Sequence, residues 1–355
     1  MRSFNALQSL RGLFAVGILF HHLGLYEAGG DSGVCFFMIL SGFVMSAGYW
    51  EKIITNQITY KKFMEKRFLR LYPLHLIGFL IAILLIPCYS TLLKPTVTIT
   101  NLLMLQSWIP IQDYYFSFDA PSWCLSDMFF CYLFFPIVVL SLKKYSPRLS
   151  FIIILLLYSA YFLSVSLMPS SLLMPLIYIN PLFRIVDFIL GIIMWQLYVC
   201  LNETTFVSIY NRLPTFIKSL IELTIVAVYV LFVLKSQSVA ERYSLVSFWW
   251  IPSIIIIVYF AISDRRGGFI SQILSSRALT GFGQLSFSFY MLHVPVIKGY
   301  ERLASSFIPT YSDVHSPIAI LFIFLATLSL SYLTFKFIEP RLSQYLKMFI
   351  DRKRS

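Results

Sequence analysis

The sequence predicts an all-α fold, a polytopic membrane helical bundle of about ten transmembrane helices with both termini cytoplasmic. Three observations predict it. Of the 355 residues, 58% are hydrophobic and only 12% charged, about half the charge of an ordinary soluble domain. Apolar runs long enough to cross a bilayer core recur along the chain. The cationic side chains collect in alternate connecting segments. A β-barrel would show short alternating segments, and this sequence lacks them.

The candidate spans are 8–26, 34–50, 73–89, 123–142, 150–168, 181–200, 217–234, 247–262, 281–297 and 316–335. The fourth and ninth carry polar residues. Arg11 interrupts the first apolar run and no small-residue cleavage site follows it, so this run reads as a retained span and not a signal peptide. With the N-terminus inside, the inner segments hold 21 lysines and arginines, among them Arg2, Arg265, Lys353 and Arg354. The outer loops hold five: Lys94, Lys235, Arg242, Lys298 and Arg302. Arg11 and Arg184 lie within spans. This asymmetry fixes the orientation and accounts for the net charge of +12 without a nucleic-acid partner.

The longest hydrophilic stretch, about 90–122, is too short for a separate soluble domain, and no internal repeat supports an inverted-repeat transporter. The five cysteines (Cys35, Cys88, Cys124, Cys131 and Cys200) show no CxxC spacing. They read as small hydrophobes, so neither a disulfide framework nor a metal site is expected.

Charged and titratable groups inside spans are the functional signal, because such groups usually face the protein interior. In RGLFAVGILFHH, Arg11 and His22 are eleven residues apart. On a helix that is about 20° beyond three full turns and about 16 Å of rise, so both share one face. Adjacent His21 points about 100° away and falls off that stripe. Taken singly, Arg11 is equally an interfacial anchor and His22 a packing hydrogen bonder. In KKFMEKRFLRLYPLH, Arg67 and Arg70 are helix neighbours that suit a phosphorylated ligand. Lys61, Lys62 and Lys66 read as ordinary inner-loop charge, and His75 as an interface residue. Further candidates are Ser126 and Asp127 at the outer end of the fourth span, Arg184 and Asp187 at i, i+3, and Tyr290 and His293 at i, i+3. Trp123 reads as a belt aromatic and Glu339 as a structural contact. Polar residues in four spans are most simply explained by a central polar cavity.

Along nearly its whole length the sequence resembles the acyltransferase family 3 membrane O-acyltransferases. The resemblance rests on Arg-x10-His (Arg11, His22), DSGVCFFMILSGF, RFLRLYP, LQSW, SWCLSDMFFCYLFFP, PLFRIVDFILG, LSFSFYMLHVP and FIEPRL, in that order. Each motif is weak alone; their order and spacing are specific. Many members carry a glutamate two residues beyond the serine of Trp-x-Leu-Ser. Here that position is Met128, beside Asp127. The domain organisation is then 1–342 for the transmembrane acyltransferase domain and 343–355 for a short basic cytoplasmic tail, with no fused esterase-like domain.

The resemblance implies transfer of an acyl group, usually acetyl, from cytoplasmic acetyl-CoA or another acyl-CoA to a hydroxyl of an extracytoplasmic glycan or lipid-linked saccharide. The expected location is the cytoplasmic membrane, and no tightly bound cofactor is expected. A sugar hydroxyl needs a base to attack a thioester, and imidazole titrates in the right range. His22 is the expected base. Arg11 stabilises oxyanion charge or holds a donor phosphate. Arg67 and Arg70 grip the phosphates of coenzyme A. Tyr290, His293 and Ser126 serve the acceptor side, with Asp127, Arg184 and Asp187 in support. The alternative is a transporter or flippase of acyl groups or lipid-linked sugar, with His22 as proton relay. A structural subunit of a glycan-synthesis complex is a third reading.

Overall fold

A computed structural model describes residues 4–85, 94–202, 205–264, 266–307 and 313–352. Residues 86–89 of the third predicted span, with Cys88, lie outside the described residues. So do Arg2, Arg265, Lys353 and Arg354. The described residues are mostly helical, with no strand among them. Ten long helices run α1 (Asn5–His22), α2 (Gly29–Ile54), α3 (Tyr60–Leu85), α4 (Trp123–Leu142), α5 (Pro147–Leu167), α6 (Pro181–Asn202), α7 (Thr215–Ser236), α8 (Trp250–Ile262), α9 (Arg277–Phe307) and α10 (Pro317–Leu333). A last helix, α11 (Glu339–Arg352), follows α10 through a π turn at Thr334–Ile338. Each predicted span falls on one of α1–α10.

Six of these segments are long and apolar enough to cross a membrane: α2, α3, Ala120–Leu142, α6, α7 and the α10–α11 run. Two more apolar helices are shorter, Phe151–Leu167 and Ser247–Ile262. α1 and α9 fall short because they carry Arg11, His21 and His22, and Gln284, Lys298 and Glu301. These two helices pack on each other and on neighbouring helices. A helix enclosed by protein need not be apolar, since its polar side chains find partners or line a cavity. The outer helices show the reverse. In α7 only 11% of the apolar window is buried, against 78% in α2. Leu220, Leu223, Val230 and Leu234 of α7 stand exposed, as do Leu155, Leu156 and Leu163 of α5 and Leu321 and Phe322 of α10. Such faces fit hydrocarbon.

Local chemistry sets the helix ends. Ser146 and Ser316 cap α5 and α10, each accepting a backbone N–H three residues on, with Pro147 and Pro317 in the first turn. α1 ends at His22, four residues before the predicted limit. Gly24 takes φ +68°, its N–H donates to His21 O, and Leu25 N–H donates to Phe20 O at 2.8 Å. This paired bonding closes the helix and needs a left-handed residue at Gly24.

Close helix crossings build the centre. Gly42 and Gly191 face each other where α2 crosses α6. A Cβ at either would overlap the carbonyl of Phe188 or Ile39. Gly283 lies on the Gln8 carbonyl where α9 meets α1. Small residues let helix backbones touch, which substitutes for a hydrophobic driving force within a bilayer.

Candidate active site

α3 starts at Tyr60, well before the predicted span, so Arg67 and Arg70 ride on the same helix as Pro73. Pro73 has no N–H, which leaves the Leu69 carbonyl without its helical donor. Ser343 Oγ of α11 donates to that carbonyl at 3.0 Å. Glu339, one turn earlier on α11, pairs with Arg70 Nη1. The FIEP and RFLRLYP motifs are therefore one contact. Glu339, expected to be a structural contact, has a specific partner in Arg70, which lines the cavity.

Arg67 is half-buried in an aromatic nest. Its Nη2 donates to Tyr49 Oη at 2.7 Å, and its guanidinium carbon lies 4.8 Å from the Tyr49 ring centre and 5.9 Å from that of Tyr132. Tyr132 Oη lies 3.2 Å from Ser41 Oγ. These contacts hold a cation in place without neutralising it.

Arg11, Arg67 and Arg70 line one cavity of about 220 Å³, walled by α1, α2, α3, α4 and α9. Among the described residues, Glu339 is the one carboxylate in an ion pair with any of the three. Arg11 contacts Gln8 Oε1 at 3.4 Å. Cys124, Ser286 and Tyr290 line the same cavity. Met128 also lines the wall.

Beyond Tyr290 lie the imidazoles. The His293 ring centre is 5.8 Å from that of Tyr290 and 4.9 Å from that of His22. His293 is fully buried. Its Nδ1–H donates to the Tyr290 carbonyl, so the neutral ring presents Nε2 as a lone pair, and Nε2 has no partner among the described residues. His22 is exposed and does not line the cavity itself. His21 Nδ1 bonds the Glu27 carbonyl at 2.7 Å, a packing role. The structure thus joins Arg11, Arg67, Arg70 and Tyr290 in one cavity and sets His293 and His22 next to it.

Four candidates lie elsewhere. Ser126 Oγ donates to Met104 O at 2.6 Å and accepts from Ser107 Oγ at 2.7 Å, so it fastens the segment between α3 and α4 to α4. Asp127 is fully buried and lies off the cavity wall. Arg184 and Asp187 form a fully buried ion pair at 3.0 Å, and Trp250 Nε1 donates to Asp187 Oδ1 at 2.5 Å. His75 is buried and bonds the Asn101 carbonyl at 2.8 Å.

Sequence reasoning passed over Tyr49, Ser41 and Tyr132. Ser41 and Tyr132 stand inside quoted motifs, so that signal existed; Tyr49 had none. Asp119 was also passed over. It is buried, with neither carboxylate oxygen partnered among the described residues. A Cβ at Gly78 would lie 2.5 Å from Asp119 Oδ2, so the bare glycine makes room for it. Burial holds the Asp119 carboxyl well above the usual carboxylate range.

A family model described as an acyltransferase domain matches residues 4–336. The chain is similar to Acyltransferase MdmB of Streptomyces mycarofaciens, 30% identical over 294 residues, which cover 77% of this chain and 70% of that protein. It is also similar to Protein 2 in picA locus of Rhizobium radiobacter, 33% identical over 97 residues. That match covers 26% of this chain and 51% of the relative, about half its length. No solved structure matches. The chain belongs to acyltransferase family 3 and is an acyl-transferring enzyme.

Proposed function

We propose that this protein is a membrane O-acyltransferase that moves an acyl group, acetyl in the first instance, from cytoplasmic acyl-CoA to a hydroxyl of an extracytoplasmic surface glycan. In this reading α1–α10 all span the cytoplasmic membrane and both termini are cytoplasmic. The loop charges and the exposed apolar faces of α5, α7 and α10 support that arrangement.

One observation carries the proposal: three guanidiniums, of which only Arg70 has a carboxylate partner among the described residues, line a cavity with Tyr290, and the two imidazoles lie next to that tyrosine. An excess of positive charge in a confined space favours a phosphorylated donor. Arg67 and Arg70 hold phosphate oxygens of coenzyme A, and the thioester reaches toward Tyr290. The acceptor approaches from the exposed side of His22. His22 takes the proton of the acceptor hydroxyl as its oxygen attacks the thioester carbonyl. Arg11, about 16 Å along α1 from His22, lies with Arg67 and Arg70 on the donor side, where it holds a phosphate oxygen. The C–S bond then breaks, the ester forms, and the coenzyme A thiolate leaves with a proton returned from His22. His293, with Nε2 as acceptor, orients the incoming hydroxyl.

Purified protein with radiolabelled acetyl-CoA and glycan should yield labelled acceptor and free CoA. Label crossing sealed vesicles with no CoA release would make the protein a transporter. Mass spectrometry of the surface glycan from a deletion strain identifies the acyl group and its acceptor together.

A further inference from the structure

α11 carries Glu339, Ser343 and Lys347 at four-residue intervals, one face of a helix. All three meet α3 or its surroundings. Glu339 pairs with Arg70, Ser343 bonds Leu69 O, and Lys347 enters a groove of about 510 Å³ with Thr59, Lys61, Lys62, Glu65 and Lys66. The groove holds four ammonium groups and one carboxylate. It opens at the N-terminal end of α3, where backbone N–H groups add to the positive potential.

The groove and the cavity adjoin on α3. Lys62, Lys66 and Arg70 follow one i, i+4 ridge, each about 40° round from the last, and Arg67 points about 100° from Lys66. Lys66 lies about 6 Å along the axis from Arg70, and Lys62 about 12 Å. α11 ties the two together, since its first residue pairs with Arg70 at the cavity and its third turn walls the groove.

We infer that this groove is a phosphate-monoester site that takes the 3′-phosphate end of the acyl donor, with the pantetheine arm leading past Arg70 into the cavity. The inference rests on the acyl-CoA reading proposed above. Ammonium groups act as point charges and suit a terminal phosphate, whereas the arginine forks suit the diphosphate. The headgroup of an anionic lipid offers the same chemistry. The donor is favoured because α11 links the groove to the mouth of the cavity.

The test uses the full chain in nanodiscs of neutral phosphatidylcholine, and compares binding of CoA with binding of 3′-dephospho-CoA. Wild type should prefer CoA by about tenfold, the worth of one charge-assisted phosphate contact. The triple variant Lys62→Gln, Lys66→Gln, Lys347→Gln should lose that preference while binding dephospho-CoA as wild type does. The triple Lys→Arg variant should keep it. An undiminished preference in the glutamine variant overturns the groove assignment and leaves the acyl-CoA reading standing. A variant that loses only its association with phosphatidylglycerol nanodiscs, with CoA preference intact, assigns the groove to lipid and also overturns it. Wild type that binds no CoA at all overturns the acyl-CoA reading and the groove with it.

Discussion

Replacing Arg67 tests the donor end of the proposed reaction most directly. Its guanidinium is half-buried, held by Tyr49 Oη at 2.7 Å and by the Met45 sulfur at 3.3 Å, with the Tyr49, Tyr132 and Phe63 rings around it. No described carboxylate pairs with it, so its charge is available to a ligand. A hydrogen bond to a charged group contributes about 1.5–3 kcal/mol. Loss of one such contact, about 2 kcal/mol, raises the donor KM about thirtyfold. Arg67→Ala should show that rise, with kcat reduced far less than KM is raised. Arg67→Lys keeps the charge but loses the fork and the stacked contact, so its KM should fall between those of wild type and the alanine variant. Tyr49→Phe leaves the guanidinium and removes one anchor, about 1 kcal/mol or about fivefold in KM. The assay is steady-state CoA release in nanodiscs at saturating acceptor, with thermal unfolding of each variant to confirm folding. An Arg67→Ala KM within twofold of wild type refutes the reasoning. So does a Tyr49→Phe variant that is impaired as much as Arg67→Ala.

His22→Ala should nearly abolish turnover, lowering kcat by about 10²–10⁴, the range for acid–base groups, and retain donor binding, while His293→Ala should lower kcat less; equal loss of donor binding in both would end this assignment. Gly191→Ala drives a Cβ into the Ile39 carbonyl and should cost about 1–3 kcal/mol, seen as a lower Tm in detergent. Gly281→Ala meets nothing within 4 Å and should leave Tm unchanged or raise it. Arg184→Met alone strands a buried Asp187 and should cost about 3–5 kcal/mol, and adding Asp187→Leu should recover most of it; additive losses would refute the pairing. Asp119 sits one residue ahead of the Ala120–Leu142 segment, and burial raises its carboxyl. The native protein then keeps a proton that the unfolded chain releases above about pH 4, so stability falls as pH rises from there. Asp119→Asn should be more stable than wild type at pH 7, with the gap closing toward pH 4; a gap independent of pH would show that the carboxyl is not the cause.

Much of the site was legible from spacing. Arg11 and His22 on one stripe, Arg67 beside Arg70, and Tyr290 beside His293 are all local relations within one helix. Helix periodicity fixes them without knowledge of the fold. What spacing misjudged was where each stripe faces. Ser126 and Asp127 share the helix that carries Met128 and Tyr132, yet the cavity takes Met128 and Tyr132. Ser126 is engaged by Met104 and Ser107 of the segment between α3 and α4. That rotation depends on how α4 packs on α2, α3 and α6.

The family, the helical membrane character and the orientation expected from the loop charges were all in the sequence. They depend on composition, on order of motifs and on charge between spans, none of which needs a contact map. The tertiary structure decided three other things. It joined Arg70 to Glu339 across 269 positions. It brought His22 to His293, from the first long helix to the ninth. It also folded Lys347 back onto α3. A one-dimensional pattern records which face of a helix is polar. Only the packing of many helices at once, set by backbone contacts such as those at Gly42 and Gly191, determines which polar faces meet.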